Sequence, residues 1–167
     1  MSNNEALTCI APGDGESILV MTDLVTVKVR GQNSGERFAL TEVLTPPRGG
    51  PPLLHRHRDA ETFYILEGSF RFDTLQDGQI MSIEAAPGSV VHIPSLVWHN
   101  YKNITATHSK MMVVLQPGEM IDFFRELGVP ATGETNTPRP SGPPDMHRVM
   151  EIQEKHHVES LNLPVKM

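Results

Sequence analysis

Between residues 18 and 115 the sequence is a succession of short β-prone segments separated by turns rich in Gly, Pro, Asn and Asp. In Leu24–Arg30, three valines recur at every second position and therefore share one face of a strand. The other predicted strands are Ile18–Met21, Arg37–Leu44, Thr62–Leu66, Ser69–Thr74, Ile80–Ile83, Ser89–Ile93, Val97–Asn103 and Lys110–Leu115. Short strands at this spacing are typical of an antiparallel barrel or sandwich.

After residue 116 the apolar residues recur with a helical period instead. Pro117–Gly128 predicts a helix that ends at a glycine, with an apolar stripe that we assign to packing: Met120, Phe123, Phe124 and Leu127. Ala131–Pro144 is rich in proline and predicts a loop or strap, and Asp145–His157 predicts a second helix. We therefore expect an N-terminal arm (1–16), a β-barrel (17–116) and a C-terminal region (117–167) that packs on the barrel or on a dimer partner.

A group of metal-binding residue types follows the proline- and glycine-rich segment at 46–52. In an extended strand His55 and His57 point to the same side, roughly 7 Å apart along the backbone. A turn can then bring Glu61 onto that side from the next strand, and His99 opens a later strand as a fourth candidate ligand. Imidazole and carboxylate donors suit a divalent transition metal, with Fe, Mn, Ni, Co and Zn all open.

Strand alternation also predicts which residues surround the predicted metal site. Phe63 and Ile65 have the same parity as Glu61 and are expected on the same side of their strand. The complete predicted pocket wall is Phe63, Ile65, Val97, Tyr101 and Val114. These walls offer few hydrogen-bonding groups.

Charge and composition exclude several classes of partner. The 167 residues include 20 Asp and Glu against 14 Lys and Arg, for a net charge of −6, which argues against nucleic acid and anionic membranes. The N-terminus lacks a basic start with an apolar signal core, and no segment is apolar enough to span a membrane. Cys9 has no cysteine to pair with, which favours a protein of the reducing cytoplasm.

The spacing of these residues resembles the two motifs of the cupin superfamily. The first motif is matched throughout by Gly49, His55, His57, Glu61 and Gly68, with five, one, three and six residues between them. The second motif is matched by Gly88, Pro94, His99 and Asn103, but Leu96 stands where the family usually has glycine. The resemblance implies a single jelly-roll barrel that binds metal through His55, His57, Glu61 and His99. Because leucine resists a positive φ, we expect the turn before His99 to adopt a different shape.

Within the cupins, the chain looks most like small single-barrel proteins similar to flavonol (quercetin) dioxygenases. The resemblance covers the strand and turn Glu61–Gly68 and the helix that ends in Phe-Phe-Arg-Glu-Leu-Gly128. It implies ring-opening oxygenation of a substrate with an enolisable hydroxyl next to a carbonyl. Glu61 would then be both a metal ligand and the base that takes the hydroxyl proton, with a pKa raised by an apolar pocket.

Two other classes of function remain open at this point. One is a metal-dependent isomerase, hydrolase or lyase acting on a polar small molecule, and the other is a noncatalytic cupin that binds a small ligand. The apolar predicted walls favour the oxygenase. The resemblance also implies a homodimer.

Overall fold

The computed structural model describes residues 7–132, 143 and 145–161. Within them the chain forms two antiparallel sheets and two short α-helices. The strands are β1 Glu16–Val20, β2 Asp23–Val29, β3 Ala39–Thr45, β4 His55–Arg56, β5 Ala60–Glu67, β6 Phe70–Gln76, β7 Gln79–Ala85, β8 Val90–Ile93, β9 His99–Asn103, β10 Ser109–Gln116, β11 Val129–Ala131 and β12 Glu159–Ser160. The helices are α1 Met120–Leu127 and α2 Met146–Lys155. The predicted all-β architecture with C-terminal helices is confirmed.

The strand order places the metal-binding candidates between the sheets. The seven-stranded sheet has the order β11-β1-β2-β3-β10-β5-β8, and the five-stranded sheet has the order β12-β4-β9-β6-β7. Glu61 therefore belongs to the larger sheet, whereas His55 and His99 belong to the smaller one. The donors can meet only because the two sheets face each other.

Alternating side chains build the core between the sheets. In β10 every second residue is buried, from Ser109 through Met111 and Val113 to Leu115. Phe63 and Ile65 of β5 and Phe70 of β6 are almost completely buried in the same cluster. Gly68 makes the turn between these two strands possible, because its φ is +73° and a Cβ there would overlap the side chain of Ser109.

Both helices pack against the barrel of their own chain. Residue Asp59, just before β5, caps α1: its Oδ2 accepts hydrogen bonds from the backbone N–H groups of Gly118 (3.0 Å) and Met120 (3.2 Å). The side chain of Asp145 caps α2, and Lys155 at the other end of α2 forms an ion pair with Glu126 at 2.8 Å. The chain then returns as β12 and pairs with β4.

Two C-terminal features go beyond the predicted elements. The short strands β11 and β12 extend the two sheets at positions where no strand was predicted. Most of the predicted proline-rich strap, at residues 133–142 and 144, lies outside the described residues. Neither of the two helices in the described ranges has the length and apolar character needed to cross a lipid bilayer.

Candidate metal centre

Three histidines converge in the space between the sheets. His55 on β4 lies directly opposite His99 on β9, and their ring centroids are 4.4 Å apart. The ring of His57, just beyond β4, is 5.1 Å from that of His99 and 5.7 Å from that of His55. One potential ligand nitrogen from each ring lies within 4.8 Å of the others, which is close enough for all three to bind one ion.

Glu61 completes the polar group from the opposite sheet. Its Oε2 lies 3.0 Å from Nε2 of His99, and its Oε1 lies 3.8 Å from Nε2 of His57. The set of mutually close ligand atoms contains the three histidines alone among the described residues, so Glu61 stands beside two of the rings rather than equidistant from all three. The four predicted donors are thus brought into one buried group.

Backbone carbonyls orient two of the imidazole rings. Nδ1 of His55 lies 3.2 Å from the carbonyl oxygen of Leu53, and Nδ1 of His99 lies 2.8 Å from that of Val97. An Nδ1–H that donates to a carbonyl leaves Nε2 of the same ring as the lone-pair atom that can bind a metal.

The donor set fits a transition metal. Nε2 of His57 is buried and has no hydrogen-bond partner among the described residues, which is costly for a polar atom unless something binds it. Imidazole nitrogens and a carboxylate oxygen are suited to a divalent ion such as Fe, Mn, Ni, Co or Zn. His55, His57, His99 and Glu61 are the residues that would hold it.

Burial and mutual charge set the protonation of these donors. Burial lowers the pKa of His55 to about 3 and also lowers the pKa of His57, so both rings are neutral near pH 7, as metal binding requires. Burial alone would lower the pKa of His99 too, but the contact with Glu61 outweighs it and raises that pKa.

The pKa of the Glu61 carboxyl differs from the expectation. Burial alone would raise its pKa, but the neighbouring imidazoles, His99 foremost, lower it to about 2. The prediction that an apolar pocket raises this pKa is therefore wrong for the metal-free protein. The reason is that Glu61 faces the rings of His57 and His99 rather than the apolar wall.

A mostly apolar cavity adjoins the donors. His55, His57 and Glu61 line it together with side chains from the barrel, among them Val25, Val43, Phe63, Val113 and Leu115. The helices contribute Met120, Phe123, Phe124, Leu127 and Val149. The stripe on α1 that was assigned to packing alone thus also lines the cavity.

The predicted pocket wall is only partly the observed one. Phe63 and Tyr101 line the cavity, whereas Ile65, Val97 and Val114 do not. Ile65 is fully buried in the hydrophobic core, and Val97 is partly buried and packs against that core. Val114 is corrected to Val113, since alternation along β10 turns Val113 inward and Val114 to the other face.

The turn before His99 also differs from the expectation. Leu96 adopts the left-handed conformation, with φ +64°, that a glycine would adopt at this motif position. Its backbone N–H donates to the carbonyl oxygen of His57 at 2.9 Å, which ties the turn to the ligand strand. The different turn shape predicted from leucine is therefore wrong, because the leucine accepts the strained backbone instead.

Sequence reasoning missed a buried acid that lines the cavity. Asp23, at the start of β2, is 5% exposed and lines the cavity, and the hydroxyl of Tyr101 donates to its Oδ2 at 2.5 Å. The local sequence identifies Thr22-Asp23 only as a turn. Its position in the cavity depends on the meeting of β2 with β9, for which the sequence carries no local signal.

The double-sheet barrel and its buried His and Glu donors define the class of protein. A family model described as a cupin domain matches residues 41–121, which include all four donors. The chain belongs to the cupin superfamily, as its two motifs predicted.

Curated relatives give a finer comparison. The chain is 34% identical over 122 residues to quercetin 2,3-dioxygenase of Bacillus subtilis and 29% identical over 126 residues to quercetin 2,3-dioxygenase of Aspergillus japonicus. These matches cover 72% and 73% of this chain but 34% and 35% of the relatives. The chain thus spans about a third of the length of the relatives that it matches.

Solved structures support the fold. The polyketide cyclase RemF of Streptomyces resistomycificus matches with a TM-score of 0.58 at 21% identity, over 67% of this chain and 80% of that one. Oxalate decarboxylase of Bacillus subtilis, a protein with Mn(II) centres, matches with a TM-score of 0.55 at 19% identity, over 69% of this chain and 32% of that one. At these identities the likeness concerns the fold alone.

Proposed function

We propose that this chain is a metal-dependent dioxygenase that acts on a flavonol-like or other enolisable aromatic substrate. One observation carries the proposal: three histidines and Glu61 converge, and His55, His57 and Glu61 of this group line a cavity whose other walls are mainly apolar. Such a cavity favours a flat aromatic ligand over a polar sugar or acid. The similarity to quercetin 2,3-dioxygenases over 72% of the chain supports the same class of substrate.

The chemistry divides between the ion and the side chains. When bound, a divalent metal supplies Lewis acidity that lowers the pKa of the substrate hydroxyl next to the carbonyl. The carboxylate of Glu61, which its imidazole neighbours keep ionised in the metal-free protein, accepts the proton from that hydroxyl oxygen. His99 lies 3.0 Å from Oε2 of Glu61 and steadies the carboxyl group on that side. The apolar walls orient the ring system and exclude water.

The proposal is tested first by metal content and then by turnover. We expect about one transition metal per chain in the purified protein, most of it lost in His55→Ala or His57→Ala because a donor is removed. Loaded with Fe, Mn, Ni or Co, the protein should consume oxygen with a flavonol, and Glu61→Gln should slow this by about 10²-fold or more because the proton acceptor is lost.

A matched control is His92→Ala, since His92 is an exposed histidine on β8 outside the cluster. This variant should keep both metal and turnover. If His55→Ala and His57→Ala retained as much metal as His92→Ala, the metal site would be refuted. Tight flavonol binding without oxygen uptake under any of the metals would instead identify a noncatalytic ligand-binding cupin.

A further inference from the structure

The cavity contains a second polar site, Asp23 with Tyr101, in addition to the metal-binding candidates. Asp23 lies at the start of β2 in the seven-stranded sheet, whereas the donors come from β4, β5, β9 and the turn after β4. Tyr101, which holds it, follows His99 by two positions on β9, roughly 7 Å along the strand. Asp23 and Tyr101 both line the same cavity as the donors.

The carboxylate of Asp23 has unused hydrogen-bonding capacity. Oδ2 accepts from the Tyr101 hydroxyl at 2.5 Å, and Oδ1 accepts from the Thr22 hydroxyl at 3.1 Å. The hydroxyl of Thr45 also lowers the pKa of Asp23 through a hydrogen bond, and since a carboxylate offers about four acceptor positions, about one is left. Burial raises the pKa of Asp23 to about 6 despite the hydrogen bonds from Tyr101, Thr22 and Thr45, which reflects the cost of keeping the charge in an apolar environment. An additional donor in the cavity would reduce that cost.

Other polar side chains of the cavity outside the metal centre are already engaged. The hydroxyl of Thr41 faces the carbonyl oxygen of Val113 at 3.4 Å, and the amide of Gln153 donates to Ser160 at 2.8 Å. Asp23 is thus the charged side chain that the cavity presents to a ligand outside the metal centre, within the described part of the chain.

Aromatic rings fix the position of the Tyr101 hydroxyl that donates to Asp23. The Tyr101 ring packs edge-on against Phe63 with centroids 5.9 Å apart, and it also lies 6.0 Å from Phe70 and 6.1 Å from Phe72. The hydroxyl that holds Asp23 is therefore presented from a rigid aromatic cluster. Asp23 and Tyr101 are not among the three mutually close histidines, although both line the same cavity as His55, His57 and Glu61.

We propose that Asp23, positioned by Tyr101, is a second binding point of the cavity and accepts a hydrogen bond from a substrate hydroxyl remote from the metal-binding oxygen. The inference rests on the proposed function and narrows its substrate class. The preferred ligand is a flat aromatic molecule with an enolisable hydroxyl at one end and a phenolic hydroxyl at the other. Charge complementarity selects a hydrogen-bond donor there, because a carboxylate can only accept.

The test compares the dissociation constants of two flavonols with metal-loaded protein in the absence of oxygen. One is quercetin, which carries additional phenolic hydroxyls, and the other is the unsubstituted flavonol, which carries only the enolisable hydroxyl. In Asp23→Asn we expect the dissociation constant of quercetin to rise about 10-fold, because a hydrogen bond to a charged group is lost. That of the unsubstituted flavonol should stay within about twofold. Tyr101→Phe should also weaken the binding of quercetin more than that of the unsubstituted flavonol, but by a smaller factor. This variant removes the hydrogen bond that positions the Asp23 carboxylate and leaves the carboxylate itself in place.

Asp73→Asn is the matched control. Asp73 is a buried aspartate that accepts a hydroxyl hydrogen bond from Ser82 at 2.6 Å, but it does not line the cavity. Asp73→Asn should change the dissociation constants of the two flavonols by the same factor. If Asp23→Asn weakened both flavonols equally, or neither, Asp23 would be only a structural residue and the inference would be overturned.

The two proposals fail in different ways. A selective loss of quercetin binding without oxygen uptake after air is admitted would leave the binding point standing and remove the dioxygenase. If the protein consumed oxygen with both flavonols and Asp23→Asn left their binding unchanged, the dioxygenase would stand and the second binding point would fall. If the wild-type protein bound neither flavonol, both proposals would fall.

Discussion

Leu96 is the residue at which the chain departs from the second cupin motif, and it keeps the glycine conformation at an energetic cost. A left-handed backbone costs a non-glycine residue roughly 1–2 kcal/mol. The Leu96 side chain is 53% exposed and recovers little of this cost by packing. The hydrogen bond from its N–H to the carbonyl oxygen of His57 holds the strained turn in place. The position of His99 is therefore secured by the backbone around it and not by the residue type.

Leu96→Gly should therefore raise the free energy of unfolding by up to about 1 kcal/mol, because relief of strain exceeds the added chain entropy. Leu96→Ala is the control, since it removes the side chain but keeps the strain and should bring no gain. Urea unfolding of the three proteins measures the difference. A gain in the alanine variant as large as that in the glycine variant would show that the side chain, not φ, is responsible.

At the scale of the element, α1 depends on a residue far from it in sequence. Its own N-terminal residue, Glu119, makes no side-chain capping bond, whereas Asp59 accepts from the N–H groups of Gly118 and Met120. Since α1 supplies one wall of the cavity, this cap also connects the ligand segment at 55–61 to the closing helix. A capping residue in another element cannot be found from the sequence of the helix itself.

We expect Asp59→Ala to lower the free energy of unfolding by about 1–2 kcal/mol, as the loss of a well-formed cap does. Asp145→Ala provides the comparison, because Asp145 caps α2 from an exposed position and should cost less. Urea unfolding at neutral pH is the measurement. Equal losses in the two variants would contradict a special role for the buried cap.

At the scale of the whole molecule, the Asp23–Tyr101 contact joins the two sheets and makes stability depend on pH. Burial raises the pKa of Asp23 to about 6 from its ordinary 3.8, so the folded state holds the proton to a higher pH than the unfolded state. The stability that the folded state gains by holding the Asp23 proton more tightly is fully present below about pH 4. It is lost as the pH rises through about 6.

The free energy of unfolding of Asp23→Asn relative to wild type should therefore increase between pH 4 and pH 6.5, by on the order of 2 kcal/mol. Asparagine cannot ionise and escapes the cost of burying the charge. Denaturation of both proteins over this pH range, with a chelator present so that metal does not contribute, measures the change. A difference that stays constant with pH would contradict the raised pKa.

The predictions that agree with the structure are those whose signals lie within a short segment of the sequence. Two-residue alternation and glycine or proline turns placed the barrel strands near their observed positions, and the spacing of His55, His57 and Glu61 indicated their common site. Val114 was predicted in place of Val113 because a shift of one residue reverses the face of a strand. Asp23 and the pairing of β12 with β4 depend on contacts between distant segments. The homodimer and the cytoplasmic location stay predictions.

The pairing of β12 with β4 bears on how the protein is made. Glu159 pairs with Arg56 by backbone register and by a 2.7 Å ion pair, and Ser160 lies opposite His55. All four donors precede residue 100, whereas α1, α2 and β12 follow residue 116. The residues that would hold a metal are therefore synthesised before α1, α2 and β12, which supply Met120, Val149 and Ser160 to the lining of the cavity.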